Sequence, residues 1–261
     1  MLEALQIAAT GLHAQQANVD AIAHNLANVN TPGYKKSRVA FFDLVGDASR
    51  PATGGADASS VNPGARLGAG VQVASIVRLF DAGDLRKTEQ PLDLAIAGDG
   101  FLEVQTTDGA RAYTRGGTLK IGTDGTLSTA SGQPLKPGLV VPADLTTLTI
   151  TADGRVLASG PSRATALEIG TLQMVRFPSP GTLQPAGEGL WRATEASGEP
   201  IAGRPGEDAM GTLRQGHLEG SNVKLVEEMV GLMVAQRAYE ASVKVVQASD
   251  EMLGLVNTLR K

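Results

Sequence analysis

The sequence predicts an α+β protein in which long N- and C-terminal helices flank a central antiparallel β domain. Three observations carry this. Leu5, Leu12, Val19 and Leu26 recur every seven residues through residues 2–30, a stretch with no proline and one glycine. Near the other end, Leu225, Leu232, Tyr239, Val246 and Leu253 recur at the same spacing. Between them, apolar residues alternate at period two, punctuated by Asp-Gly pairs. Recurrence at seven keeps side chains on one side of a helix, whereas alternation is the signature of a pleated strand.

In the first element, Met1, Ala8, Ile22 and Val29 supply a second apolar series that only Gln15 interrupts. The predicted helix is about 28 residues and about 42 Å long, and Thr31-Pro32-Gly33 is expected to end it, because proline disfavours a helical residue before it. Its polar face carries Gln6, Gln15, Gln16, Asn18, Asn25 and Asn28 but only Glu3 and Asp20 as charges. Such a face suits contact with other helices or a water-filled channel better than open solvent. Lys35, Lys36 and Arg38 read as a solvated basic loop. Residues 46–66, rich in Gly, Ala, Ser, Asp and Pro with a single Val, read as a flexible loop or linker.

The period-two runs Val71, Val73, Ser75, Val77, Leu79 and Leu92, Leu94, Ile96 predict strands. Asp108-Gly109, Asp124-Gly125 and Asp153-Gly154 predict hairpin turns, where glycine accepts the positive φ the turn requires. Gly68-Ala69-Gly70 and Gly98-Asp99-Gly100 lack the third glycine and the strand-to-helix setting of a dinucleotide fingerprint, so both read as tight turns. Residues 195–211 read as a second loop. Asn222 is then the expected N-cap of a helix over residues 223–258, about 54 Å long. Its apolar residues Val223, Leu225, Val226, Met229, Val230, Leu232, Met233 and Val234 cover roughly 200° of the helix, about twice what one partner helix needs.

Composition excludes several functions. The net charge is -4, from 23 basic and 27 acidic residues with no dense basic block, so nucleic acid and anionic membrane surfaces are poor partners. The longest apolar run, residues 229–235, is seven residues, against the ~20 of a membrane span, so no direct membrane insertion is expected. The first basic side chain is Lys35, which does not fit the start of a cleaved secretory signal. Without cysteine, disulfides and thiolate sites are impossible. His13, His24 and His217 are too dispersed to share a metal. No Walker A sequence, nucleophile elbow or HExxH is present, so no catalytic residue, cofactor or metal is assigned.

Ala23-His24-Asn25-Leu26-Ala27-Asn28-Val29-Asn30-Thr31-Pro32-Gly33-Tyr34-Lys35 resembles the amino-terminal signature of bacterial flagellar rod and hook proteins. That family usually has Asn where His24 stands and rarely needs Pro32; neither departure touches Asn25-Leu26-Ala27-Asn28. Gly98-Asp99-Gly100-Phe101, Tyr113-Thr114-Arg115 and Asp124-Gly125-Thr126-Leu127 are similar to motifs of its central β domain, in the same order. Glu219-Gly220-Ser221-Asn222-Val223, Gln236-Arg237-Ala238-Tyr239-Glu240 and Asp250-Glu251-Met252-Leu253 resemble its carboxyl end, so the resemblance spans the chain.

Length and motif wording are most similar to the distal rod branch, with proximal rod or hook subunits as the near alternatives. A secreted β-rich binding module or enzyme with bracing terminal helices is the alternative of another class. The resemblance implies a helical homopolymer in the bacterial periplasm, part of the drive shaft from motor to hook, exported without signal cleavage. Its implied partners are itself, proximal rod proteins, the hook protein, the surrounding periplasmic and outer-membrane ring proteins and a rod cap. Residues 1–33 and 222–261 would be the helical assembly domain, pairing as a coiled-coil-like tube. Residues 34–80 and 205–221 would connect it, with 46–66 as the rod-type segment, to an outward-facing β domain over 81–204. The expected assembly interface comprises Leu5, Leu12, Val19, Leu26, Asn25, Asn28, Leu225, Met229, Leu232, Met233, Gln236, Tyr239, Val246 and Leu253.

Overall fold

The computed structural model describes residues 2–45, 68–142, 144–145, 147–160 and 163–259, so the segment 46–66 lies outside the described residues. The chain forms two compact units. One, the helical unit, draws on residues 1–26, 37–77 and 225–261, and the other, the β unit, on 27–36 and 78–224.

The helical unit contains α1 (Leu2–Ala27), α2 (Leu225–Leu259) and a two-stranded sheet of β1 (Ser37–Val45) and β2 (Gly68–Arg78). The helices run antiparallel in constant register. A methyl group on Gly11 would lie 3.7 Å from Ser242 Oγ, and one on Gly231 would lie 3.6 Å from Ile22 Cδ1. Moving eleven residues up α1 thus moves eleven down α2, and three further residues bring Asn25 Nδ2 to Glu228 Oε2 at 3.1 Å. The positions of α1 that are fully covered are Ala8, Ala14, Ala21, Ile22 and Asn25. Small side chains on this line allow the backbones to approach closely. Ser242 and Ser249 on α2 turn their hydroxyls back onto the carbonyls of Ala238 and Val245, so no hydroxyl on that face is left without an acceptor.

Helix α1 stops at Ala27, three residues before the predicted end. The cause is a turn that starts at Asn28. Its carbonyl accepts from Thr31 N–H at 3.1 Å, and Gly33 then takes φ +69°. The reversal is fixed from the helix side by Asn25, whose amide donates to the Ser37 carbonyl at 2.9 Å and accepts from the Ser37 N–H at 2.8 Å. Gly68-Ala69-Gly70 is no tight turn but the start of β2. A Cβ on Gly70 would overlap Thr10 Oγ1, which accepts from Val71 N–H at 3.2 Å; the glycine is there to let the strand approach α1.

The β unit holds β3 (Leu85–Lys87), β4 (Asp93–Ala97), β5 (Phe101–Gln105), β6 (Arg111–Thr114), β7 (Gly116–Ile121), β8 (Leu127–Thr129), β9 (Thr147–Ile150), β10 (Arg155–Gly160), β11 (Arg163–Thr171), β12 (Met174–Arg176), β13 (Gln184–Gly187), β14 (Leu190–Arg192), β15 (Ile201–Gly203), β16 (Thr212–Gln215) and β17 (His217–Glu219). They form a six-stranded sheet in the order β13-β14-β6-β5-β12-β15, a four-stranded sheet β16-β4-β7-β8, a three-stranded sheet β11-β10-β9 and the pair β17-β3. The pairings are antiparallel. All three Asp-Gly turns join hairpins, β5-β6, β7-β8 and β9-β10, with their glycines at φ +76°, +73° and +85°.

Two apolar clusters fill the unit. The larger includes Leu94, Ile96, Leu102, Val104, Leu119, Leu127, Leu135, Val156, Leu172 and Met174. The smaller is aromatic, built from Phe101, Tyr113, Phe177 and Trp191 with Phe80 against it in edge-on ring pairs. Strand β4 is buried on both faces, so Asp93 within it is satisfied by Thr118 Oγ1 at 2.7 Å rather than by water. Residues 195–211 are not a loose linker. They contain β15, which pairs with β12, bury Met210 in the larger apolar cluster, and bury Ser197, which shares a capping box with Thr194.

Gly116 sits at φ +106°, and a Cβ there would overlap the Leu94 carbonyl oxygen across the β4-β7 pair. Gly116→Ala is therefore expected to lower the unfolding free energy by about 2–3 kcal/mol, through strain at a left-handed position and loss of the close strand approach. Thermal or urea unfolding of the purified chain checks this.

Candidate assembly interface

Helix α2 has two working faces. The one toward α1 includes Gly231, Ala235, Ser242 and Ser249, with Leu232, Val246 and Leu253 half-buried at its margins. The other bears Val226, Met229, Val230, Met233 and Val234, spaced i, i+3, i+4, i+7, i+8, which is a complete apolar stripe. It is uncovered: Val226 is 73% exposed, Val234 64% and Met233 57%. Leu225, Tyr239, Val245, Met252 and Leu255 extend exposed apolar surface along the same helix. Of the eight residues of the arc read from the sequence, Leu232 lies at the margin of the helix pair, Val223 is buried before the helix begins, and the other six are exposed.

The heptad residues Leu5, Leu12, Val19 and Leu26 lie at the margin of the helix pair, half-buried rather than in its centre. Gln236 is exposed and, with Gln16, Val19, Tyr239 and Glu240, lines a cleft between the helices. Asn28, half-buried, accepts from Thr31 Oγ1 in the turn that follows α1. Asn25 is 2% exposed and spends its amide inside the unit, on Ser37 and Glu228.

Two expectations near the helix ends need correction. Helix α2 begins at Leu225, not at residue 223, and Asn222 is not its N-cap. Its Oδ1 accepts from Lys36 N–H at 2.7 Å and its Nδ2 donates to the carbonyls of Leu79 at 2.8 Å and Asp81 at 3.3 Å, so the side chain is committed to the β unit, where Val223 is buried as well. Nor is Lys35 in a solvated loop. Its side chain is 0% exposed, and Nζ donates at 2.7 Å both to Glu219 Oε1 and to the Asp81 carbonyl. Of the three basic residues only Arg38 is exposed.

Lys35 belongs to a buried charge cluster in the β unit. Arg115 grips the same carboxylate as a fork, Nε to Glu219 Oε2 at 3.0 Å and Nη2 to Oε1 at 3.1 Å. Its remaining donors cap the carbonyls of Gly100 at 3.1 Å and Gly98 at 2.9 Å. Gly83 N–H adds a bond to Oε1 at 3.0 Å. Beside the cluster, Arg78 donates to the Lys35 carbonyl at 2.9 Å and lies over the rings of Tyr34 and Trp191 at 5.5 and 5.6 Å. Burial, aided by the charge of Arg115, holds the Lys35 ammonium below its ordinary range against the opposing pull of Glu219 and Asp81. Burial pushes Glu219 upward, but the hydrogen bonds and charges of Arg115 and Lys35 outweigh it and hold the carboxyl below the usual carboxylate range.

Sequence reasoning missed this cluster because its members stand 184 and 104 residues from Glu219. One signal was present: Lys35 closes the first family-like motif, Arg115 closes Tyr113-Thr114-Arg115, and Glu219 opens the carboxyl-terminal motif. Three segments match family models. Residues 5–35 match that of the flagella basal body rod protein, 95–158 the D1 domain of the flagellar hook protein FlgE/F/G, and 214–259 the C-terminal part of the flagellar basal body rod FlgEFG proteins. Over the full length of both chains, the sequence is 42% identical to the flagellar basal-body rod protein FlgG of Borreliella burgdorferi. The chain belongs to the flagellar basal-body rod protein family. It is 39% identical to FlgG of Agrobacterium fabrum over 98% of each chain, and 35% identical to FlgG of Bacillus subtilis over all of both.

Membership in the rod family makes the chain a structural subunit of the flagellar basal body and not an enzyme, and FlgG is the distal rod protein. Each of the three matched segments contributes one charge to the buried cluster, Lys35 from the first, Arg115 from the second and Glu219 from the third. No helix among the described residues is long and apolar enough to cross a membrane.

Proposed function

We propose that this rod subunit self-assembles through its terminal helices into a helical tube that transmits torque from motor to hook and encloses the export channel. The observation that carries the reading is the uncovered stripe Val226, Met229, Val230, Met233 and Val234. Five large apolar side chains left in water on one helix face call for a partner that removes them from it, at about 1.5–3 kcal/mol for each side chain fully buried. A second copy of the chain brings such a stripe of its own. The α1-α2 pair of one subunit would then pack beside those of its neighbours in a coiled-coil-like wall, with Leu5, Leu12, Val19, Leu26, Leu225, Leu232, Gln236, Tyr239, Val246 and Leu253 at the seams. Asn25 and Asn28 serve the interface indirectly, by fixing how the chain leaves α1. Proximal rod proteins, the hook protein, the surrounding rings and the rod cap are the further partners of such a tube.

Residues 1–26 are needed for polymerisation and dispensable for the β unit. In a chain lacking them, filaments should be absent by electron microscopy, while the β unit keeps its cooperative unfolding transition. Polymers from the truncated chain, or loss of that transition, would refute the assignment.

A further inference from the structure

The charge cluster holds two cations, Lys35 and Arg115, and one carboxylate, all buried. Around it the chain entering the β unit and the chain leaving it are stitched to each other, while β17 also pairs with β3. Gly33 N–H donates to the Glu219 carbonyl at 2.8 Å, Lys36 N–H to Asn222 Oδ1 at 2.7 Å, and Leu79 N–H to the Lys36 carbonyl at 3.0 Å. On the other side, Gly220 N–H donates to the Asp84 carbonyl at 2.8 Å and Gly83 N–H to Glu219 Oε1. None of these residues belongs to the larger apolar core, which is complete without them.

We propose that Glu219 is the closing element of the β unit. Seating β17 brings in the carboxylate that allows Lys35 and Arg115 to be buried side by side, so that residues 33–36 and 217–222 dock in one cooperative step and neither docks alone. Before β17 arrives, closing the site would press two cations together away from water with no counter-charge, which opposes closure. Burying one cation with one anion carries no such obstacle. The two connections to the terminal helices are thereby coupled to each other through a single side chain near the end of the chain.

Amide hydrogen exchange on the full-length monomer separates this from an ordinary set of hydrogen bonds. In Glu219→Gln, exchange at Gly33, Lys36, Leu79, Gly83 and Gly220 should accelerate together by roughly a hundredfold or more. The core amides of Leu127, Leu135 and Leu172, which donate to the carbonyls of Leu139, Leu127 and Gly154, should stay protected. Lys35→Met leaves Arg115 and Glu219 balanced, so it should keep all of these sites protected. Unchanged exchange in Glu219→Gln, or Lys35→Met accelerating the set as much as Glu219→Gln does, overturns the proposal. If Glu219→Gln also loses core protection, the double variant Lys35→Met/Glu219→Gln decides: with one uncompensated cation in place of two, it should recover part of the protection at Leu127, Leu135 and Leu172, and no recovery relative to Glu219→Gln refutes the charge-balance role.

Discussion

Val226→Asp and Met233→Asp should each abolish polymerisation while leaving the isolated subunit as stable as the parent. Both side chains are more than half exposed, and neither covers α1. In the monomer an aspartate at either position sits in water, and the unfolding free energy should change by no more than about 0.5 kcal/mol. In an assembled wall the same carboxylate is desolvated without a partner, at a cost of several kcal/mol, roughly 2–5, repeated in every subunit. Sedimentation at concentrations where the parent chain forms filaments is the measurement. Leu232→Asp makes the contrast, because Leu232 is half-buried at the margin of the helix pair. That substitution should weaken both the monomer's helical unit and the polymer. Filaments of normal length from Met233→Asp would mean that the exposed stripe is not where subunits meet.

Arg115→Met is expected to be strongly destabilising to the β unit. It removes both bonds to Glu219 and takes the guanidinium donors away from the carbonyls of Gly98 and Gly100. Breaking one side of a buried ion pair costs about 3–5 kcal/mol. The pH dependence gives a second readout. Glu219 titrates below its ordinary value in the folded chain, so its stabilisation is present above the unfolded-state value and is lost as pH falls through the folded-state value. Arg115 is the foremost cause of that depression, and the variant has little of it to lose. The stability gap between parent and variant should thus be widest near neutral pH and narrow as pH drops into the carboxylate range. A gap that stays constant from neutral to acid pH would show that Arg115 acts through packing alone.

Much of the architecture was legible in local sequence. Heptad spacing located both helices, because the helical repeat is a property of each segment by itself. The Asp-Gly pairs located three hairpins, because positive φ is a local demand that glycine meets at little cost. Six of the eight residues of the predicted apolar arc of α2, Leu225, Val226, Met229, Val230, Met233 and Val234, are exposed. Errors clustered where a local rule met a distant partner. The polar run from residue 195 to 211 looked like a linker, yet pairing with β12 orders β15 within it. Asn222 had the identity and position of an N-cap, but three acceptor and donor groups from residues 36, 79 and 81 claim its amide first. Gly68-Ala69-Gly70 resembled a turn, yet it opens β2, which pairs with β1 and passes close to Thr10.

The sequence by itself determined what is encoded by period and by residue identity: two long helices, an antiparallel β region, an apolar stripe in excess of one partner, and motifs similar to those of flagellar rod proteins. Only the tertiary structure decided which groups those motifs bring together. Lys35 in a short basic run carries every local mark of solvent exposure. Its burial depends on a carboxylate 184 positions away, which Arg115 and the Gly83 N–H hold in place. Burying a cation is unfavourable until its counter-charge is in place, and that balance is a property of the folded site, invisible in any window of sequence around the lysine itself.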